Sequence, residues 1–189
     1  VLKALLAERG FSLALILLTH THGGVADDFL AHYPDAGIVV GPQGPLASVG
    51  RQARDGEVLG FGGESIQVIA TPGHTSGSIS VLDPKSRLLF TGDALNASSI
   101  IMNKPGGTKD DIAKMADTLR KMQARSADFD KTSPGHDGTV VDKQLIADFL
   151  YLCDGLLAGT LVGAYEVTGI RAGKVVRYGM AELWYEADK

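Results

Sequence analysis

The sequence predicts a layered α/β fold, and two patterns of apolar residues support that prediction. Short apolar runs of strand length alternate with amphipathic segments of helical periodicity at both ends of the chain, and β-like runs separated by turn residues fill the middle. Strands with helices outside them form layers with the sheets inside. A chain of 189 residues with 44% hydrophobic residues is long enough to bury one core, so we expect a single domain over residues 1–189.

The first part of the chain alternates between helix and strand. Gly10 is placed to cap the first helix, and Pro34 ends the second. The first strand is uniformly apolar, and we expect it to be fully buried. The four expected elements are, in order, Val1–Arg9 (helix), Leu13–Leu18 (strand), Asp27–Tyr33 (helix) and Gly37–Val40 (strand).

The middle of the chain predicts a meander of antiparallel strands. The segment Asp83–Ser86 has the composition of a tight turn that joins two of them. The expected strands are Glu57–Leu59, Ser65–Ala70, Ser78–Leu82 and Arg87–Thr91.

The last part of the chain predicts two amphipathic helices, Thr108–Gln123 and Lys143–Leu157. Thr108 supplies a cap for the first of these helices, and an acidic first turn follows it. A short run from Phe129 to Thr132 lies between the helices, and two or three short strands are expected over Gly163–Glu186.

Charge and composition exclude several classes of partner. The net charge of −4 gives no long-range attraction for phosphate backbones, so we do not expect nucleic acid binding. The longest apolar run, Leu13–Leu18, is much shorter than the roughly 20 residues that cross a bilayer, and no basic segment precedes it, so neither a membrane span nor a signal peptide is predicted. The single cysteine, Cys153, is expected to be a small buried hydrophobic residue. It fits a cytoplasmic location, although an exported protein with few cysteines would share this feature.

Five candidate metal ligands follow apolar runs of strand length: His20, His22, His74, Asp93 and His136. Ligands at the ends of several strands can converge on one rim of a sheet. Imidazole and carboxylate are ordinary ligands of zinc, and His20 and His22 would point the same way from an extended segment. His32 matches no such pattern and is expected at the surface.

The motifs around these residues resemble the metallo-β-lactamase superfamily, and within it the glyoxalase II-like and general hydrolase branches. The motifs are Thr19-His20-Thr21-His22, Pro72-Gly73-His74-Thr75-Ser76-Gly77, Thr91-Gly92-Asp93 and Pro134-Gly135-His136. The resemblance implies a four-layer αβ/βα sandwich with the metal centre at one edge between two sheets. It also implies a first metal site of His20, His22 and His74, with Asp93 as a bridging ligand and His136 as a remnant of a second site.

Two departures from the family pattern affect the site and the first sheet. The family usually continues His-x-His-x-Asp-His, whereas this chain continues with Gly23-Gly24. Either Gly24 and Val25 replace the two ligands, or four residues are missing before Gly23; both alignments remove the second site and predict at most one ion. Because 18 residues precede Thr19, we also expect an incomplete first sheet, covered by a second copy of the chain, a swapped segment or another part of the protein.

The resemblance implies a metal-dependent hydrolase that acts on a small-molecule ester, thioester or phosphoester. Zinc is the expected cofactor and iron is the alternative. Asp93 is the expected catalytic residue, and either Asp93 or a water held by His136 would orient the nucleophile. The alternative function is a metal-poor domain with a role in binding or assembly. The segment Ser98–Gly107 either lines the site or forms a solvated loop.

Overall fold

The computed structural model describes residues 1–21, 25–42, 50–97, 100–101, 108–136, 138–168 and 171–185, with only the backbone described for 25–28, 100–101 and 171. These residues form four helices, which are α1 (Leu2–Arg9), α2 (Val25–His32), α3 (Lys109–Ala124) and α4 (Gln144–Ala158). They also form thirteen strands: β1 (Leu15–Leu17), β2 (Gly37–Val40), β3 (Gly50–Gln52), β4 (Val58–Phe61), β5 (Glu64–Ala70), β6 (Ile79–Asp83), β7 (Leu88–Gly92), β8 (Ile100–Ile101), β9 (Lys131–Pro134), β10 (Val141–Asp142), β11 (Ala164–Thr168), β12 (Arg171–Tyr178) and β13 (Ala181–Tyr185).

The described strands pair into three sheets. The first sheet is parallel and has the order β1-β2-β3. The second sheet has the order β10-β9-β7-β6-β5-β4; its strands β4 to β7 form the predicted antiparallel meander, and β9 pairs parallel to β7. The third sheet has the order β11-β12-β13-β8.

The first and second sheets pack face to face, with helices on the outside. On its outer face the first sheet packs Ile38 and Val40 against Leu30 of α2, while α3 and α4 cover the outer face of the second sheet. This is the αβ/βα order that the sequence motifs imply. The buried core between the two sheets consists of Val39, Ala53, Leu59, Ile66, Val68, Ile79 and Val81.

Helix α3 forms where its sequence predicts it. Thr108 and Asp111 make a reciprocal capping box, which satisfies backbone N–H groups at the start of the helix. The predicted apolar side is buried against the second sheet and α4, and it consists of Ile112, Met115, Leu119 and Met122. Cys153 of α4 is completely buried in the same core, as expected from its apolar surroundings.

The first strand differs from its prediction. The apolar run Leu13–Leu18 was expected to be fully buried, but the strand covers Leu15–Leu17 and its side chains are only partly buried. Within the described residues, β1 pairs on one side only, with β2, so no neighbouring strand covers its other side. The short strands β3, β8 and β10 were not predicted, because two or three residues are too few to show a periodicity.

No helix in the described part of the chain is long and apolar enough to cross a membrane. His32, at the end of α2, is exposed, as expected.

Candidate metal centre

His20 lies in the loop after β1, where the first sheet meets the second. The carbonyl of Thr19 accepts a hydrogen bond from Ile79 N of β6 at 2.7 Å, which fixes this loop against the second sheet. The Oγ1 atom of Thr19 lies 3.1 Å from Nδ1 of His20. Such a partner orients the imidazole and leaves Nε2 to face Asp93, an arrangement typical of metal-binding histidines.

His74 lies in the turn after β5 and is buried, with 8% of the residue exposed. Helix α3 holds this turn, because Thr118 Oγ1 donates a hydrogen bond to the carbonyl of Pro72 at 2.5 Å. Within the turn, Thr75 N donates to Ser78 Oγ. The position of His74 therefore depends on the packing of α3 against the second sheet.

Asp93 follows β7 at the same edge of the second sheet. Thr91 Oγ1 donates to the carbonyl of Leu95 at 3.0 Å and closes the turn that carries Asp93. Gly92 bends the chain there with a φ of 52°, a backbone conformation that residues other than glycine seldom adopt. A Cβ atom at Gly92 would lie only 2.5 Å from Cβ and Oγ1 of Thr19, so glycine also permits the close approach of the His20 loop.

His136 reaches Asp93 from the turn after β9. Since β9 runs parallel to β7, the ends of the two strands lie at the same edge of the sheet. Nε2 of His136 is 3.0 Å from Oδ2 of Asp93, while 70% of the His136 side chain is exposed to solvent. Gly135 packs so closely against Oδ1 of Asp93 that a Cβ atom there would overlap it.

His20, His74 and Asp93 form a group in which every ligand atom lies within 4.8 Å of the others. The Nε2 atoms of His20 and His74 lie 3.5 and 3.6 Å from Oδ2 of Asp93. Ligands about 2.0–2.2 Å from a tetrahedral zinc ion are roughly 3.3–3.6 Å apart, so these two separations fit a shared ion. The two imidazole rings meet edge to face, with their centroids 5.0 Å apart.

The Asp93 carboxylate supplies independent evidence that the site suits a cation. Only 6% of the residue is exposed, and Oδ1 has no hydrogen-bond partner among the described residues. A buried carboxylate oxygen without a partner is costly, and a bound cation would offset that cost. The donor set of two imidazoles and one carboxylate suits zinc and also iron.

The family model for the Metallo-beta-lactamase superfamily matches residues 20–136, which is more than half of the chain and includes all of these side chains. The chain belongs to this superfamily. Among curated proteins, it is 35% identical over 100 residues to a hydroxyacylglutathione hydrolase of Brucella anthropi and 34% identical over 100 residues to one of Brucella ovis. These matches cover 51% of this chain and 38–39% of the relatives, so the chain spans about two fifths of their length.

Solved structures of the metallo-beta-lactamase superfamily share the fold. ETHE1 from Myxococcus xanthus aligns with a TM-score of 0.63 and 25% identity, over 82% of this chain and 74% of that one. A metallo-beta-lactamase from Staphylococcus aureus aligns with a TM-score of 0.68 and 16% identity, over 88% of this chain and 57% of that one. The four-layer sandwich implied by the motifs is therefore the fold of this chain.

The structure brings together four of the five predicted ligands of this superfamily member. His20, His74 and Asp93 form the compact group, and His136 contacts Asp93 from the solvent side. His22 and Gly23-Gly24 lie outside the described residues, as does most of Ser98–Gly107, so a ligand role for His22 remains a prediction. The sequence reasoning assigned no role to Thr19, although it stands in the first motif beside His20, and it did not identify Asn96. Asn96 acts through a contact with a distant segment, which leaves no local pattern.

Proposed function

We propose that this chain is a metal-dependent hydrolase with one metal ion, held by His20, His74 and Asp93. The convergence of two Nε2 atoms on one oxygen of a buried aspartate supports this proposal, because the other oxygen of that carboxylate has no described hydrogen-bond partner. We propose zinc as the ion and His22 and His136 as further ligands, in keeping with their motifs. The missing Asp-His pair supports one ion rather than two.

Zinc in this site would supply Lewis-acid activation of water and of an acyl carbonyl. The protein residues supply the orientation: Thr19 holds Nδ1 of His20, and Thr118 holds the His74 turn through Pro72. Asp93 contributes a buried negative charge that offsets the charge of the cation. We propose Asp93 as the catalytic residue, in the role of orienting the attacking water. His136 marks the side of the site that is open to solvent, and through which a substrate can approach.

A thioester is the substrate class that we propose. The curated relatives are hydroxyacylglutathione hydrolases, and a thioester of a hydroxy acid is therefore the first compound to test. In the reaction, water adds to the acyl carbon and the C–S bond breaks. The products are a carboxylic acid and a thiol, so no oxidant or reductant is needed.

Metal analysis and a thioester assay test this proposal together. Protein purified without chelator is expected to contain about one ion per chain, and chelation followed by zinc is expected to remove and restore thioester hydrolysis. His20→Ala removes one ligand and is expected to abolish turnover. The matched control is His32→Ala, because His32 is exposed on α2 and should leave metal content and turnover unchanged.

Two results would contradict the proposal. One is the absence of bound metal together with no turnover after zinc or iron is added, which would favour a binding or assembly role. The other is a His20→Ala variant that retains as much bound metal as His32→Ala and the native chain, which would show that His20 is not a ligand.

A further inference from the structure

Asn96 connects the two loops that carry Asp93 and His136. Its side chain is buried, with 3% of the residue exposed, and it lies just after the Asp93 turn. The Oδ1 atom of Asn96 accepts hydrogen bonds from the backbone N–H groups of Gly135 and His136, at 3.1 and 3.3 Å. One side-chain oxygen therefore holds two consecutive amides of the turn that presents His136.

The contacts of Gly135 limit how this turn can move. Its N–H also donates to the carbonyl of Gly92 at 3.1 Å, and a Cβ atom added to Gly135 would lie only 2.4 Å from Oδ1 of Asp93. The turn is therefore fixed on one side by Gly92 and on the other by Asn96. Consecutive amide N–H groups form a concave donor site, and in this turn a neutral amide oxygen occupies it.

The contact between His136 and Asp93 depends on this arrangement. The His136 side chain is 70% exposed, so surrounding side chains do little to hold it in place. Its backbone amide is anchored by Asn96, and Nε2 nevertheless lies 3.0 Å from the buried carboxylate. Because the backbone is already fixed, less conformational entropy is lost when the His136 side chain contacts Asp93.

We propose that Asn96 is a positioning residue that holds His136 against the Asp93 carboxylate. The consequence for metal binding rests on the proposed function: with His136 in contact with Oδ2, the carboxylate keeps the orientation in which it faces His20 and His74. Loss of a group that orients a ligand typically weakens metal affinity about 10–100-fold.

The first experiment measures how firmly the His136 turn is held in metal-free protein. In chelator-treated protein, Asn96→Leu removes the acceptor at similar volume, and amide hydrogen exchange of His136 is expected to accelerate about fivefold, the equivalent of a net hydrogen bond. Exchange at Ile79, which donates to Thr19, is the internal control and should not change. Unchanged exchange at His136 would overturn the proposal. Asn96→Ala replaces the leucine variant if circular dichroism shows that leucine prevents folding.

The second experiment measures Co²⁺ affinity by the absorption spectrum of the bound ion. Asn96→Leu is expected to weaken Co²⁺ binding at least about tenfold when His136 is present. In a His136→Ala background the same substitution should change affinity less than about twofold, since its effect passes through His136. Asn96→Asp retains an oxygen acceptor and should bind Co²⁺ nearly as well as the native chain.

The results distinguish failure of the positioning role of Asn96 from failure of the proposed metal-dependent function. Equal weakening by Asn96→Leu with and without His136 would overturn the positioning role, because the effect would then be independent of that histidine. If the native chain binds no Co²⁺, the proposed function fails, while hydrogen exchange still decides whether Asn96 holds the turn. Asp148→Ala, which removes a remote buried acceptor, controls for a general loss of stability.

Discussion

Replacing Gly92 by alanine perturbs the point where the first sheet meets the metal centre. Gly92 has a φ of 52°, and alanine in this left-handed region costs about 1–2 kcal/mol. The new Cβ would also lie 2.5 Å from Cβ and Oγ1 of Thr19 and 3.1 Å from its Cγ2. Overpacking of this kind costs about 1–3 kcal/mol, so we expect a total destabilisation of about 2–5 kcal/mol.

The chain offers a matched control for the strain alone. Gly62, in the turn between β4 and β5, has a φ of 54°, and a Cβ atom there would meet nothing within 4 Å. Gly62→Ala should therefore show the left-handed strain without the overpacking. Both substitutions gain the same small amount from the unfolded state, and this term cancels in the comparison.

Urea denaturation in the presence of a chelator measures the difference in unfolding free energy between the two variants, without a contribution from bound metal. Gly92→Ala is expected to be less stable than Gly62→Ala by about 1–3 kcal/mol. Adding Thr19→Ala to Gly92→Ala removes the Oγ1 and Cγ2 contacts and should recover part of that difference. Equal unfolding free energies for Gly92→Ala and Gly62→Ala would refute the reasoning, because the approach of Thr19 to Gly92 would then be too loose to matter.

Three further substitutions test the core. Burial raises the pKa of the Cys153 thiol to about 12, so the folded chain keeps a proton that the unfolded chain loses near pH 8.5. Stability should therefore fall above that pH by about 1.4 kcal/mol per pH unit relative to Cys153→Ala, and parallel pH profiles in urea denaturation would contradict this. Asp148→Ala leaves Met180 N and Gln144 Nε2 without their acceptor and should cost about 1–3 kcal/mol in urea, without weakening Co²⁺ binding. Leu119→Ala, at a fully buried position, should cost about 2–5 kcal/mol, against a negligible cost for the exposed Leu5→Ala; equal costs would contradict the assigned core.

The sequence predicted those helices and strands that are determined by nearby residues. Helix α3 is an example, because Thr108 at its start and the apolar spacing of Ile112, Met115 and Leu119 are all local features, and the structure confirms each of them. The strand β1 is a counterexample. Its apolar run is local, but its burial depends on whether a neighbouring strand lies on each side, and the run itself does not contain that information.

The candidate site shows the same division. Strand-end motifs identified His20, His74 and Asp93, and the structure places these three side chains together. Asn96 was not predicted, because its role is a contact with backbone amides about forty positions along the chain. Such a contact arises only when β9 pairs with β7, and nothing in the local sequence of Asn96 specifies that pairing.

The candidate ligands come from two different layers of the sandwich. His20 follows β1 of the first sheet, whereas His74 and Asp93 follow strands of the second sheet. A cation shared by these side chains would join the layers as a removable cross-link. At a free concentration one hundred times its dissociation constant, the ion would raise the free energy of unfolding by about 2.7 kcal/mol. Depletion of the ion should then loosen the small first sheet before the rest, so protease cleavage near β1 to β3 would report how much of a preparation carries metal.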